Sequence, residues 1–245
     1  MIGVESSRVM RAAPRKAAER VEASVPWDFS RKYAAVHHSG TISVENARKR
    51  SKIGRVMKVE TFETPQDAAK ALAGEVAELI RTRAAEGKNV VLGLATGATP
   101  LPFYAELVRM HKEEGLSFAN VISFNLDEYS GLDRDHPESY WYFMHTNLFN
   151  HIDIKPENIT VKDDEIAAHC AAYEQKIKDC GGIDLQILGI GRTGHIGFNE
   201  PGSDDTTVTR QVHLDELTRS DAAPAFGGIE NVPTTAITMG VATIM

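Results

Sequence analysis

Residues 89–125, NVVLGLATGATPLPFYAELVRMHKEEGLSFANVISFN, show the pattern of a strand, a turn, a helix and a second strand. The run NVVLGL is almost entirely apolar, which is typical of a strand buried on both faces. Pro100 begins a stretch in which Leu101, Tyr104 and Leu107 recur at helical spacing. A second apolar run, NVISFN, follows. This order of elements predicts two parallel strands of one sheet.

The alternation of strands and helices continues on both sides of this unit. Upstream, VMKVETF (residues 56–62) predicts a short strand, and Thr64 and Pro65 predict a helix start, with a stop at Gly87. Downstream, PESYWYFMHTNLFNHI and DEIAAHCAAYEQKIKDCGG predict two helices, and IDLQILGIG predicts a further buried strand. The predicted fold class is therefore α/β, a doubly wound, mostly parallel, Rossmann-like sheet with helices on both faces.

The charge distribution changes near residue 57. Residues 1–58 contain 13 Lys and Arg against 5 Asp and Glu, whereas the rest of the chain contains 14 against 29. We predict a basic N-terminal extension over 1–57 and an α/β domain over 58–245. Such an extension could bind nucleic acid, serve in targeting, or pack against the body or a neighbouring subunit, and we favour the last role. The last segment, TTAITMGVATIM, is strand-like without a closing helix. We therefore expect the domain to be incomplete at its C-terminus and the chain to be part of a longer protein.

Composition argues against several classes of protein. The acidic body disfavours binding to nucleic acid. The sequence has no apolar run near the ~18 residues that a membrane helix needs, and its first residues lack the apolar centre of a signal peptide. Cys170 and Cys180 do not have the spacing of metal ligands and are expected to be free thiols. We expect a cytoplasmic protein with neither a nucleic-acid nor a membrane partner.

Gly189, Gly191 and Gly194 form a Gly-x-Gly-x-x-Gly run within LGIGRTGHIGFNEPGS, residues 188–203. In a dinucleotide-binding site such a run opens a long helix whose N-terminus holds the pyrophosphate. The residues that follow here, HIGFNEPGS, include two glycines and a proline, which disfavour that helix. The run is therefore predicted to be a catalytic loop at the carboxyl end of a parallel strand.

The best candidate for a phosphate site is the turn after NVVLGL. Its residues are Thr96, Gly97, Ala98 and Thr99, and they precede the predicted helix start at Pro100. Free backbone N–H groups and the positive end of the helix dipole meet at such a turn, which suits a phosphate dianion. The turn is not a Walker loop, because no Gly-Lys-Ser/Thr follows. An ordinary strand-to-helix turn is the alternative.

Acid–base side chains are predicted at the same edge of the sheet. Asp127 and Glu128 come directly after NVISFN, and the glycine-rich loop carries His195, Asn199 and Glu200. Each of these residues alone is more often a capping or solvated residue than a catalyst. A phosphate cradle, a carboxylate pair and a His/Glu loop on one edge, however, are the parts needed to move protons on a small phosphorylated substrate.

These motifs resemble those of the glucosamine-6-phosphate deaminase family. The likeness lies in LGLATGATP, SFNLDEYSGL and GHIGFNEP and covers about residues 58–245. The related 6-phosphogluconolactonases usually have arginine at the position of Tyr129 and a GHTASLFP-like loop in place of GHIGFNEP. The resemblance implies conversion of glucosamine 6-phosphate and water into fructose 6-phosphate and ammonium, in amino sugar metabolism. It also implies a sugar-phosphate substrate, no metal and no organic cofactor. We further expect a homo-oligomer.

The resemblance also implies roles for individual residues. Asp127 would move the proton from carbon 2 of the sugar to carbon 1. His195 would open the sugar ring, and Glu200 would hold and polarise His195, with Thr193 beside it in the catalytic loop. The turn at 96–99 would bind the phosphate, with the backbone amides of its last two residues as donors.

The chain departs from the family pattern at three positions. Thr193 stands where family members usually have aspartate, and a hydroxyl lacks the negative charge that makes a neighbouring histidine more basic. Pro224 stands where a phosphate-binding arginine is usual, and we place Arg219 of the same segment in the substrate site. Arg210 matches an arginine of the family's allosteric site, but Val212 replaces a basic residue there. Two alternatives stay open: a related sugar-phosphate isomerase or lactonase, and a non-catalytic sugar-phosphate-sensing homologue.

Overall fold

The computed structural model describes residues 33–36, 60–160, 166–191 and 193–245. Most of the predicted extension over 1–57 therefore lies outside the described residues, as do residues 56–59 of the strand expected at 56–62. Residues 60–62 form no strand.

Eight strands and six α-helices are found in the described residues. In chain order the strands are β1 (Tyr33–Val36), β2 (Val90–Leu94), β3 (Val121–Asn125), β4 (Asp127–Tyr129), β5 (Ile159–Thr160), β6 (Leu185–Gly189), β7 (Arg210–His213) and β8 (Thr235–Thr238). The helices are α1 (Pro65–Ala85), α2 (Leu101–Glu114), α3 (Tyr140–Asn147), α4 (Ile166–Asp179), α5 (Glu216–Phe226) and α6 (Val241–Ile244).

A five-stranded parallel sheet in the order β1–β6–β2–β3–β5 forms the centre of the fold. All five residues of β2 are buried, as its apolar sequence predicted. Helices α1 and α2 pack against each other, and from α4 the ring of Tyr173 meets Phe124 of β3 edge-on at 5.4 Å. The predicted α/β class with a mostly parallel sheet is confirmed.

Local signals in the sequence explain where the first helix begins. The side chain of Thr64 accepts a hydrogen bond from the backbone N of Asp67 at 3.1 Å, and Pro65 is the first residue of α1. This cap satisfies one of the N–H groups that a helix start leaves unpaired. One face of α1 is buried in the core: Ala69, Leu72, Ala73, Val76, Ala77 and Ile80. The predicted helix start is confirmed.

A second, antiparallel sheet, β4–β8–β7, was not predicted. It pairs Asp127 with Thr238 and Arg210 with Thr238 on its two sides. The strand expected over the last segment is limited to β8, because Gly240 is followed by the helical turn α6. The two sheets are joined through Leu126, whose N donates to Leu94 O at 2.8 Å and whose O accepts from Met239 N at 2.9 Å.

This arrangement brings three connections to one edge of the parallel sheet. The turn after β2, the start of β4 after β3, and the loop after β6 all lie where parallel strands end, which is the usual place for a site in such folds. Among the described residues, no helix is long and apolar enough to span a membrane.

Candidate active site

Strand β4 turns two adjacent carboxylates toward opposite faces, because successive side chains of a strand alternate. Glu128 anchors the first turn of α3. Its Oε1 accepts from Tyr140 N at 3.0 Å, and its Oε2 accepts from Trp141 N at 2.9 Å and Ser139 Oγ at 3.1 Å. Burial raises the pKa of Glu128, while these donors oppose that rise. Asp127 and Glu128 therefore do not act as the predicted carboxylate pair.

Asp127 lies against the loop that carries the histidine. Asp127 and Thr238 face each other in the antiparallel pair, and Thr238 Oγ1 accepts from Phe198 N at 3.1 Å. Gly197 has φ +56, and a Cβ atom built on it would lie 2.6 Å from Thr238 Oγ1 and 3.5 Å from Asp127 Oδ2. Only glycine fits this close approach. The loop backbone thus packs directly beside the Asp127 carboxylate.

The His195 ring is held through its Nδ1 atom. Thr193 Oγ1 lies 2.7 Å from Nδ1, and Glu200 Oε2 lies 3.2 Å from it. The side chains of His195 and Glu200 are 16% and 15% exposed. Glu200 Oε2 lies at ion-pair distance from Nδ1 but makes no hydrogen bond to it. A nearby carboxylate favours a proton on Nδ1, and that tautomer leaves the Nε2 lone pair for substrate. The structure therefore brings together His195, Glu200 and Thr193, as the sequence predicted.

Thr218 of α5 is a site residue that the sequence analysis missed. Its hydroxyl donates to Oε1 of Glu200, so the two carboxylate oxygens are divided between the helix and His195. Thr218 directly precedes Arg219, but no pattern in the sequence marks it as a site residue. A donor on one oxygen fixes the direction of the other, which is how partners of a catalytic group orient it.

Arg219 is occupied with the segment that follows α5. Its Nη2 donates to Ile229 O at 2.8 Å and to Val232 O at 3.2 Å. These bonds connect α5 to the turn that follows it. The role of Arg219 in substrate binding stays a prediction. Pro224 lies inside α5, and the helix ends where Gly227 adopts the left-handed conformation.

The turn at 96–99 combines an open surface with a helix start. Gly97 has φ +103, Gly97 and Ala98 are exposed, and α2 begins at Leu101, one residue later than predicted. In the described part of the chain, the backbone N–H groups of Gly97, Ala98 and Thr99 donate to no protein acceptor. Such N–H groups at a helix N-terminus suit an anion. The geometry is compatible with the predicted phosphate site.

Asn199 fixes the shape of the histidine loop. It is 5% exposed, and its Nδ2 donates to Ile196 O at 2.9 Å and to Met239 O at 2.7 Å. Its Oδ1 accepts from Arg210 Nη1 at 2.9 Å. The buried amide thus connects the loop to β7 and to the end of β8, and its role is structural.

Two buried tyrosines donate hydrogen bonds to backbone carbonyls at the ends of β2 and β3. Tyr104 donates to Ala95 O, and Tyr173 donates to Asn125 O. Burial raises the pKa of both phenols, and the charge of Asp127 adds to the rise. Both therefore stay neutral donors.

Within the described ranges, no three His, Cys, Asp or Glu side chains lie where they could hold a metal ion.

Comparison with known proteins identifies the family to which these motifs belong. Residues 63–225 match the model of a family described as glucosamine-6-phosphate isomerases/6-phosphogluconolactonase. The chain is 49% identical over 177 residues to the glucosamine-6-phosphate deaminase of Thermoanaerobacter sp. (strain X514), covering 71% of this chain and 70% of that protein. It is 48% identical over 183 residues to the glucosamine-6-phosphate deaminase of Clostridium perfringens (strain 13 / Type A), covering 74% of each.

Solved structures show the same relationship. The chain is similar to a structure described as a monomeric glucosamine-6-phosphate deaminase, with a TM-score of 0.73 and 43% identity over 77% of this chain and 78% of that one. It shares its fold with a 6-phosphogluconolactonase from Leishmania guyanensis, with a TM-score of 0.60 and 19% identity over 78% of each chain. The resemblance inferred from the three loops is confirmed, and the chain belongs to the glucosamine-6-phosphate isomerase/6-phosphogluconolactonase family.

Proposed function

We propose that the protein converts glucosamine 6-phosphate and water into fructose 6-phosphate and ammonium. The observation that carries the proposal is the position of Asp127 beside the loop that holds the His195–Glu200 pair. This acid–base set occurs in a chain 49% and 48% identical to proteins named as glucosamine-6-phosphate deaminases. A protein that only senses a sugar phosphate needs no such set.

His195 performs the opening of the sugar ring. Its Nε2 lone pair takes the proton of the anomeric hydroxyl, and the same nitrogen returns that proton to the ring oxygen as the carbon–oxygen bond breaks. The imidazolium formed between these steps is stabilised by the Glu200 carboxylate, which lies 3.2 Å from Nδ1. Thr193 offers a neutral hydroxyl where relatives usually have a carboxylate, so Glu200 supplies the negative charge at this ring.

Asp127 performs the proton transfer along the open chain. Its carboxylate removes the proton from carbon 2, the electrons of that bond form a double bond to carbon 1, and the carbonyl oxygen at carbon 1 takes up a proton to become a hydroxyl. Return of the proton to carbon 1 leaves a carbon–nitrogen double bond at carbon 2. Addition of water there expels ammonia, which takes up a proton and leaves as ammonium. A positioned general base of this kind typically contributes ~10²–10⁴-fold to the rate.

The turn at 96–99 binds the phosphate group of the substrate. Its unpaired N–H groups and the N-terminus of α2 supply hydrogen bonds and partial positive charge. Pro224 provides no charged side chain, so the bidentate clamp that an arginine would give is absent at that position. This substitution favours the second candidate function, isomerisation of a different sugar phosphate on the same scaffold.

Ammonia release from glucosamine 6-phosphate tests the proposal directly. We expect ammonium and fructose 6-phosphate in equal amounts from the parent protein, and no ammonium from the His195→Gln variant. Glucosamine, which lacks the phosphate group, should be converted into fructose far more slowly. If ammonia is not released while another aldose phosphate is isomerised, the second candidate holds. If neither reaction occurs, the protein is a binding homologue.

The organisation of the protein is also a proposal. We infer that residues 58–245 form the catalytic domain, that residues 1–57 form a basic extension, and that the protein acts in the cytoplasm as a homo-oligomer. Against the oligomer, a similar solved structure is described as monomeric. Light scattering on the purified chain measures the mass and decides between one copy and several.

A further inference from the structure

The ring of His195 rests on Gly191 in a tight turn. Gly194 N donates to Gly191 O at 2.9 Å, and Gly191 N donates to His195 O at 2.8 Å, so the chain folds back on itself between these residues. A Cβ atom built on Gly191 would lie 2.1 Å from Nε2 of His195, 2.4 Å from Cε1 and 2.5 Å from Cδ2. Non-bonded carbon atoms sit ~3.5–4.0 Å apart. A side chain at position 191 would therefore clash with the His195 ring in its observed position.

The contact is made by the face of the ring. The built Cβ is almost equally distant from Nε2 and from the two carbons bonded to it, so it lies above the ring plane near Nε2. The lone pair of Nε2 points along the plane and is not covered by this contact. Meanwhile Nδ1 is held at the other side of the ring by Thr193 and Glu200.

We propose that Gly191 is a positioning residue, whose bare Cα sets the depth and tilt of the His195 ring. Gly191, two residues after the end of β6, thus forms a seat for the imidazole. Three groups then fix the ring: Thr193 and Glu200 hold Nδ1, and Gly191 supports the face beside Nε2. The effect of this seat on catalysis rests on the proposed role of His195 in ring opening, whereas its effect on ring position does not.

Gly189 offers a matched control two residues away. Neither Gly189 nor Gly191 is among the glycines with positive φ, so alanine is compatible with the backbone at both positions. A Cβ built on Gly189 meets no described atom within 4 Å. Gly191→Ala and Gly189→Ala therefore add the same methyl group to the same segment, and only the first displaces the ring.

The two variants are compared by steady-state kinetics and by nitrogen NMR of ¹⁵N-labelled histidine, with the His195 signals assigned from their loss in His195→Gln. We expect Gly191→Ala to lower kcat by ~10²-fold with little change in KM, since a misplacement of ~1 Å can cost that much. Its His195 nitrogen shifts should differ from those of the parent. Gly189→Ala should match the parent in every measurement.

Equal behaviour of the two alanine variants in the NMR measurement would overturn the proposal. This readout decides the matter even if the parent releases no ammonia, so it separates the seat from the proposed function. If Gly191→Ala does not fold, the double variant Gly191→Ala/His195→Ala should fold again, because removal of the ring removes the clash. Failure of the second substitution to restore the thermal midpoint would equally contradict the seat.

Discussion

At the scale of the residue, Asp127 carries the most specific assignment. Asp127→Asn keeps the size of the side chain and removes the proton acceptor. We expect the chemical step to slow by at least ~10²-fold, because a general base typically contributes that much. The measurement is deuterium incorporation at carbon 2 of the substrate in deuterated water, compared between parent and variant.

His195→Gln provides the control for this experiment. It should impair ring opening and leave exchange on an open-chain analogue largely intact. Unchanged exchange in Asp127→Asn would mean that another residue acts as the general base. Glu128 is poorly placed for that task, because its two oxygens are bonded to the first turn of α3.

Gly97 tests the phosphate turn. Its φ of +103 strains any L side chain, at a cost on the order of 1–3 kcal/mol, and a Cβ there would stand in the open space where the phosphate is expected. We predict that Gly97→Ala raises the KM for a sugar phosphate several-fold. Gly115→Ala, at the other end of α2, imposes similar strain with φ +68 and should leave KM unchanged. Equal KM values in both variants would place the phosphate elsewhere.

At the scale of the element, α3 depends on Glu128. Two backbone N–H groups and the Ser139 hydroxyl donate to its carboxylate, which accepts at both oxygens. In Glu128→Gln one oxygen becomes an NH₂ group that faces donors. We expect this variant to lose ~1–3 kcal/mol of unfolding free energy, the cost of a buried group left without its partner.

Chemical denaturation measures that loss, and kinetics at a temperature where the variant is folded provides the control. Because Glu128 faces α3 and not the substrate loop, kcat should stay within a few-fold of the parent. A stable variant with lost activity would instead give Glu128 a chemical role.

The parallel half of the fold follows from local sequence signals. Thr64 and Pro65 predicted the start of α1, and the apolar run before Ala95 predicted β2. The antiparallel sheet could not be predicted in this way. Its strands have three or four residues, and the pairing of Asp127 with Thr238 joins positions far apart in the sequence, so no local pattern marks it.

The candidate site was predictable to a similar extent. Motifs predicted His195, Glu200 and Thr193 at one edge of the sheet, and the structure brings their side chains into contact. Thr218 was missed, because a single hydroxyl on a helix has no distinctive pattern. The seat at Gly191 was missed as well, because a glycine in a loop gives no indication of which ring it contacts.

At the scale of the whole molecule, the boundary near residue 57 can be tested by removing residues 1–57. We expect the remaining domain to fold, because the core described here is built from residues between Ala69 and Ile244. The loss of β1 uncovers the edge of β6, however, and open edges promote association between chains. Circular dichroism and light scattering measure the two effects, and loss of the helical signal would contradict the boundary.

The pairing of β4 with β8 has a consequence for the order of events in folding. Strands β2 and β3 of the parallel sheet are separated by a short stretch of chain. Strand β4 instead pairs with β8, which is synthesised more than one hundred residues later. Contacts between distant positions bear a larger loop-closure entropy and form more slowly. A nascent chain can thus complete most of its parallel sheet while Asp127 still has no strand beside it. Because pairing with β8 holds Asp127 beside the histidine loop, we expect activity only after β8 has joined the second sheet.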